Sequence, residues 1–316
     1  MSPAVPSTSS PRLEVAGTPR ANTWLLERKR DVHSQTGEDG IIEAILDTLP
    51  ARDGWCVEFG AWDGLHLTNT RHLIESRDYS AVLIEGDPAR AADLKRNYAD
   101  NKRVTPINTF VGFSARDGLD LILSRTPIPA DFDLLSIDID GNDYHVWNAV
   151  AKYTPKIVVV EFNPTIPTPV HFVQPADPSL TQGSSLRALT ELANKKGYEL
   201  VCVLPFNAFY VRREYFHLFA IADNSPQALR MDESSITYLF TGFDGHVFIR
   251  GLGRLTHHDA PLSESKFQVL PRFLQRYPAS YTSLHKAAYS LHRWLTRPGE
   301  SFARLGRKWR RLSGKK

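Results

Sequence analysis

Four short stretches concentrate acids, glycines and amides at spacings that suit chemistry on a small molecule. In Glu58-Phe59-Gly60-Ala61-Trp62-Asp63-Gly64, two glycines permit a tight turn with close backbone approach to a ligand, and Glu58 and Asp63 add negative charge. A diphosphate wants amide donors at such a turn, so these acids disfavour it and suit a cationic amino-acid moiety. In Glu85-Gly86-Asp87, an acid twenty-seven positions after Glu58 is placed to accept hydrogen bonds from two ribose hydroxyls. Asp138-Ile139-Asp140-Gly141-Asn142-Asp143 and Glu161-Phe162-Asn163 follow further on. Asp138, Glu161 and Asn163 supply the oxygen donors that a hard cation such as Mg²⁺ prefers. Asp138, Asp143 and His145 are alternative general bases, with Asp140 in the same cluster. Plainer readings stand beside these: Gly60 and Gly64 serve only a tight turn, and Asn142 or Asp143 caps the next helix.

The elements that must position these residues alternate. Apolar runs predict strands at 55–59, 81–85, 104–108, 134–137 and 157–160, and helical spacing falls at 65–76, 89–101, 119–124 and 144–151 between them. An entry helix is also expected through Ile41, Ile42, Ile45, Leu46 and Leu49, after the cap candidates of 34–39, and another helix at 184–196. Residues 198–203 and 208–211 are close enough to pair as an antiparallel edge. Alternation with near-continuous apolar strands means a doubly wound α/β fold, a mostly parallel sheet of seven strands covered on both faces. Ligands of such sheets bind outside the carboxyl ends of the strands, where the four acidic stretches lie.

At these residues the chain resembles the class I, Rossmann-like methyltransferases, which use an acidic-x-Gly-x-x-x-Gly turn. More narrowly it is similar to FkbM-type methyltransferases, whose fourth strand ends in Asp-x-acid-Gly-x-acid; Asp138, Asp140, Gly141 and Asp143 match, and Gly197-Tyr198-Glu199-Leu200 and Phe209-Tyr210-Val211-Arg212-Arg213 follow in order over about residues 35–222. The resemblance implies S-adenosylmethionine as cofactor, with Glu58, Gly60, Asp63, Gly64, Glu85, Asp87 and Asn108 assigned to it. It implies O-methylation of a sugar, glycan or secondary metabolite. Methylation of an amine, or an inactive adaptor that keeps the fold, are the alternatives. Trp62 stands where many such enzymes have glycine, which predicts a stiffer turn partly covered by an indole. A dinucleotide oxidoreductase is disfavoured, because the first turn lacks G-x-G-x-x-G and carries two acids.

Composition sets the frame. With 316 residues, 42% hydrophobic, the chain can bury one large core and an extension. No run of eighteen apolar residues and no apolar leader is present, so the expectation is a cytoplasmic protein. Cys56 and Cys202 sit in apolar runs and read as buried thiols. Residues 1–30 read as a disordered leader, 31–222 as the methyltransferase domain, 223–285 as a small β-containing appendage, and 286–316 as a basic amphipathic tail. The tail holds ten Lys or Arg against one acid, Glu300, with Phe302, Leu305, Trp309 and Leu312 as an apolar stripe. The acidic remainder argues against a nucleic-acid-coating protein, and the tail suggests peripheral contact with an anionic membrane. His66, His171 and the His257-His258-Asp259 run are weaker site candidates, the last because adjacent positions seldom point at one ion.

Overall fold

The structure is a computed structural model that describes residues 21–299. It divides after Glu233 into two units.

The first unit is built on one sheet. Its elements run α1 (Glu38–Thr48), β1 (Trp55–Phe59), α2 (Arg71–Ser76), β2 (Ser80–Glu85), α3 (Pro88–Asn97), β3 (Val104–Asn108), α4 (Leu119–Leu123), β4 (Leu134–Ile137), α5 (Asp143–Ala149), β5 (Ile157–Glu161), α6 (Leu186–Lys195), β6 (Tyr198–Val203), β7 (Asn207–Arg212), α7 (Arg213–Phe216) and α8 (Pro226–Leu229). The seven strands are ordered β3-β2-β1-β4-β5-β7-β6, parallel except for β7, which pairs antiparallel with both β5 and β6. This is the class I methyltransferase arrangement. The order reverses between β1 and β4, which opens the ligand crevice at their carboxyl ends. Strands β1, β2, β4 and β5 are buried on both faces, as their unbroken Val, Ile and Leu content requires.

Local signals explain most boundaries. Asp87 caps α3 by accepting from Ala89 N and Arg90 N, with Pro88 at the first helical position, and Ser185 caps α6 through Ala188 N. The helix expected over 65–76 starts only at Arg71, because Leu65–Thr70 folds as a loop around buried acids. Helix α1 begins after Gly37, which has φ +110°. Asp39 reaches back instead, one carboxylate oxygen accepting the amides of Val32, His33 and Ser34 at 2.7–2.9 Å.

The leader expectation is corrected where it can be seen. Residues 21–30 are ordered, and two of them join the core: Trp24–Arg28 forms a 3₁₀ turn, Leu25 is fully buried, and Trp24 Nε1 donates to Phe219 O at 3.0 Å. Residues 1–20 lie outside the described residues, as does the stripe Phe302, Leu305, Trp309 and Leu312. The boundary also moves, from 222 to 233, because Arg230 is buried in the first unit. Its guanidinium donates to Pro164 O at 2.6 Å and Ile166 O at 2.9 Å and lies over the Phe162 ring.

Beneath the sheet, at the amino ends of β1, β4 and β5, Asp133 is fully buried and accepts from Gly54 N at 2.9 Å and Lys156 Nζ at 2.7 Å. Removing the cation while leaving the acid strands a buried charge. Lys156→Met is therefore expected to cost about 3–5 kcal/mol, read as a lowered urea midpoint with unchanged slope.

The second unit holds a hairpin of β8 (Thr237–Thr241) and β9 (Val247–Gly251) across the turn 242–246, a two-residue pair β10 (Arg254–Leu255) and β11 (Ala260–Pro261), short 3₁₀ turns, and α9 (Ser283–Thr296). Ile236, Val247, Ile249 and Leu274 form its small buried set. Among the described residues no helix is long and apolar enough to cross a membrane. Both cysteines are unpaired and buried, and burial raises both thiol pKa values.

Candidate active site

The turn after β1 presses against the end of β4. Gly60 has φ +78°, and a Cβ placed on it would stand 1.8 Å from Asp138 O, so no other residue fits there without moving β4. Gly60 N and Ala61 N both donate to Ile84 O at 3.1 Å, tying the turn to β2. Gly64, at φ +73°, leaves room for Tyr98 and Leu94 of the α3 region. Trp62 itself takes a left-handed φ of +51° and is 43% exposed, with the Arg90 guanidinium 4.0 Å above its ring and His66 edge-on. The indole is thus held between Arg90 and His66.

Glu85 is the junction of the first two acidic stretches. Its carboxylate accepts Trp62 N at 2.8 Å and Asp87 N at 2.7 Å, one on each oxygen, which leaves each oxygen a further lone pair for a ligand. Asn108 donates to Glu85 O and Gly86 O and so holds the ends of β2 and β3 together. Asp63 accepts Leu65 N and His66 N, both at 2.9 Å; burial works upward on its pKa, but these amides hold it below the usual carboxylate value. Gly60, Asp63, Gly64, Glu85, Asp87 and Asn108 thus gather at one end of three strands. Asp87 serves there as the α3 cap.

Glu58 is the exception. Its carboxylate is consumed by the loop before α2, accepting from Thr68 Oγ1, Thr70 Oγ1 at 2.6 Å and Asn69 N at 2.8 Å. Burial raises its pKa, against the pull of those donors. A ligand role for Glu58 is therefore withdrawn; it is the internal anchor of residues 68–70.

At the ends of β4 and β5, oxygens of Asp138, Asp140 and Glu161 all lie within 4.8 Å of one another. Asp138 and Glu161 are thus close enough for each negative charge to resist the other. Burial, then the neighbouring charges of Asp143 and Asp140, pushes Asp138 from 3.8 up to about 7, and burial with the charge of Asp138 lifts Glu161 well above its ordinary value. These carboxyls are more acidic in the unfolded chain. The stability they confer is full below about pH 4 and is lost as pH rises toward 7 and beyond. Asp138→Asn is expected to raise the urea stability at pH 8 by about 1–3 kcal/mol and to leave it unchanged at pH 4.

Three predicted residues do not join this pair. Asp143 is fully enclosed, its oxygens accepting Ile139 N at 3.0 Å and Gly141 N at 2.9 Å; burial moves it up to about 6 against those amides, and its part is to hold the Asp138–Asn142 loop, where Asp140 takes φ +58°. His145 donates from Nε2 to Gln174 O at 2.8 Å and packs on Phe113 and Tyr144, and it is not part of the group that converges on Asp138. Asn163 spends Oδ1 on Thr165 and Nδ2 on Gln182 O, so the oxygen set that converges contains Asp140 in its place. His257, His258 and Asp259 are not in a converging group among the described residues, and Asp259 pairs with Arg254. His171 pairs with Glu191 at 3.4 Å.

Beside Glu161 lies an open cavity of about 510 Å³ lined by Asn163, Ile166, Val170, Phe172, Thr181 and Gln182. Arg230, 64 to 66 positions downstream, pins its wall by the carbonyl contacts given above. Sequence reasoning missed Arg230, as it missed Phe110, 77% exposed and packed over Gly86 at the end of β2. It also missed Asn207, which stands opposite Glu161 in the β5–β7 register and donates to the buried Glu38 at 3.1 Å. An exposed aromatic next to a strand end is a signal that could have found Phe110; the other two depend on contacts more than sixty positions apart.

No family model and no curated protein matches this chain. Solved structures similar to it include the N-terminal domain of EvdMO1 with S-adenosylhomocysteine and D-fucose, 11% identical over 56% of this chain and 82% of that one, TM-score 0.39. A SAM-dependent methyltransferase of Aquifex aeolicus is 10% identical over 54% of this chain and 88% of that one, TM-score 0.34. TYW2 of M. jannaschii in complex with AdoMet is 15% identical over 56% and 78%, TM-score 0.33. Superpositions this loose carry no functional argument, and the class I methyltransferase fold of this chain rests on its strand order, with β7 antiparallel between β5 and β6.

Proposed function

We propose that this chain is an S-adenosylmethionine-dependent O-methyltransferase whose base is the Asp138–Glu161 pair. The observation that carries the reading is adjacency: the backbone of Asp138 lies against Gly60, so the acid pair and the ligand turn of β1 and β2 are neighbours. The crevice residues fit the cofactor. Glu85 retains lone pairs suited to ribose hydroxyls, the acids around the turn suit a cationic amino acid, and Phe110 and Trp62 offer aromatic surface beside them. When bound, the cofactor supplies a methyl group on a sulfonium.

The residues of this chain then orient an acceptor hydroxyl and take its proton. Asp138 acts as the base in its ionised form, so transfer rises with pH through about 7 and then levels. The cavity at Asn163–Gln182 combines apolar walls with amides and hydroxyls, a lining that suits a sugar or polyketide-like acceptor. For a divalent cation the converging donors are Asp138, Asp140 and Glu161, and no step above depends on one.

The test is isothermal titration of the full chain with S-adenosylhomocysteine, beside Glu85→Ala. Micromolar or tighter binding that Glu85→Ala weakens by at least about tenfold supports the reading. Absence of binding by folded wild type rejects it and leaves the non-catalytic adaptor.

A further inference from the structure

Helix α9 of the second unit buries none of its side chains. Its apolar residues Leu284, Ala287, Ala288, Leu291, Trp294 and Leu295 recur at the helical spacing and form one stripe. Four of them are large and open to solvent, Leu284 at 77%, Leu295 at 64%, Leu291 at 59% and Trp294 at 48%. The face that packs is a different one: His292 Nε2 donates to Val269 O at 3.1 Å, and His285 stacks on Tyr281. Lys286, Arg293 and Arg297 give the helix positive charge, and no acid lies between Ser283 and Gly299. In the same unit the β8–β9 hairpin carries Phe243 at its turn, 92% exposed, and Leu239 and Phe240 on β8 are also open.

Single exposed apolar residues are ordinary, but a stripe of four on a cationic helix is not. We infer that α9 lies in the surface of an anionic lipid bilayer, with the Leu291–Trp294–Leu295 stripe in the acyl boundary and the basic residues on the headgroup side. Charge selects this occupant. From Ser283 to Lys316 the sequence carries ten Lys or Arg against one acid, Glu300, a balance that anionic headgroups attract and a second copy repels. Tryptophan at the stripe suits the interface between headgroup and chain. The spacing of the stripe continues in the sequence through Phe302, Leu305, Trp309 and Leu312, with only Glu300 as acid against Arg304, Arg307, Lys308, Arg310 and Arg311.

The experiment is co-sedimentation of the full chain with vesicles of phosphatidylcholine alone or mixed with phosphatidylglycerol, at low and moderate salt. Wild type is expected to bind the anionic vesicles at least about tenfold more tightly than the neutral ones, and less tightly as salt rises. Leu291→Ser with Trp294→Ser, and separately Lys286→Glu with Arg297→Glu, are each expected to lower that binding by at least about tenfold at unchanged thermal midpoint; these positions are exposed, so the fold is not at stake. Equal, negligible binding to both vesicles overturns the inference, as does a Leu291/Trp294 double variant that binds like wild type. A wild-type dimer that the same variant converts to monomer, with no vesicle binding by either, assigns the stripe to a second copy instead.

Discussion

Asp138→Asn is expected to lower the rate of methyl transfer by about 10²–10⁴-fold while leaving S-adenosylhomocysteine affinity within about twofold. The two readouts separate because the residue meets the Gly60 turn through its backbone, which the substitution keeps, while in the proposed mechanism it is the carboxyl that takes the acceptor's proton. Asparagine preserves the volume and can still hydrogen-bond Glu161, so the loop 138–142 keeps its anchor on Asp143. What disappears is a group poised at about 7 that accepts a proton at physiological pH. The pH profile gives an independent check. Wild-type kcat/KM rises through about pH 7, and the residual activity of the variant should not follow that limb. Equal activity of variant and wild type on a genuine acceptor would move the base elsewhere.

Gly60→Ala has the second large expected effect. The added methyl would occupy the place of Asp138 O, 1.8 Å away, and the φ of +78° is one that an L side chain seldom adopts. Both penalties fall on a turn whose neighbours are immobile: Ile84 O holds Gly60 N and Ala61 N, and β4 is fully buried. A loss of about 2–4 kcal/mol in urea denaturation is expected, together with at least tenfold weaker S-adenosylhomocysteine binding in the protein that remains folded. Gly197→Ala is the control, since its φ is +84° but nothing stands within 4 Å of the added carbon. It should show the conformational part of the cost alone, about 1 kcal/mol, and leave ligand binding intact.

The sheet was legible because parallel strands buried on both faces must be nearly continuous apolar runs, as Val82–Ile84 and Val158–Val160 are. The same property hid the direction of Glu58. When both faces are buried, alternation no longer says which side an acid takes, and only the Thr68–Thr70 loop decides it. The positions of Asp138 and Glu161 followed from where strands end. Their raised pKa values did not, since these depend on the separation of two neighbouring strand ends and on burial. Asn163 shows the limit from the other side. Its type fits a ligand set, but the amide is claimed locally by Thr165 and Gln182, an Asx-type turn that competes with any outward role.

The place of β7 has a consequence for how this protein is made. It is the last strand of the sheet to leave the ribosome, yet it lies between two that precede it, and β6 has no other neighbour. Until Arg212 has emerged, β5, the strand that carries Glu161 into the site, is an open edge of Val158, Val159 and Val160 with its amides and carbonyls on that side unanswered. Such an edge is a template for pairing with another chain. The clamps that close the structure, Asn207 on Glu38 and Phe219 on Trp24, join the latest residues of the first unit to the earliest described ones. Synthesis of this fold therefore ends in one late, cooperative insertion, and a nascent chain stalled before Asn207 would be the species most in need of a chaperone.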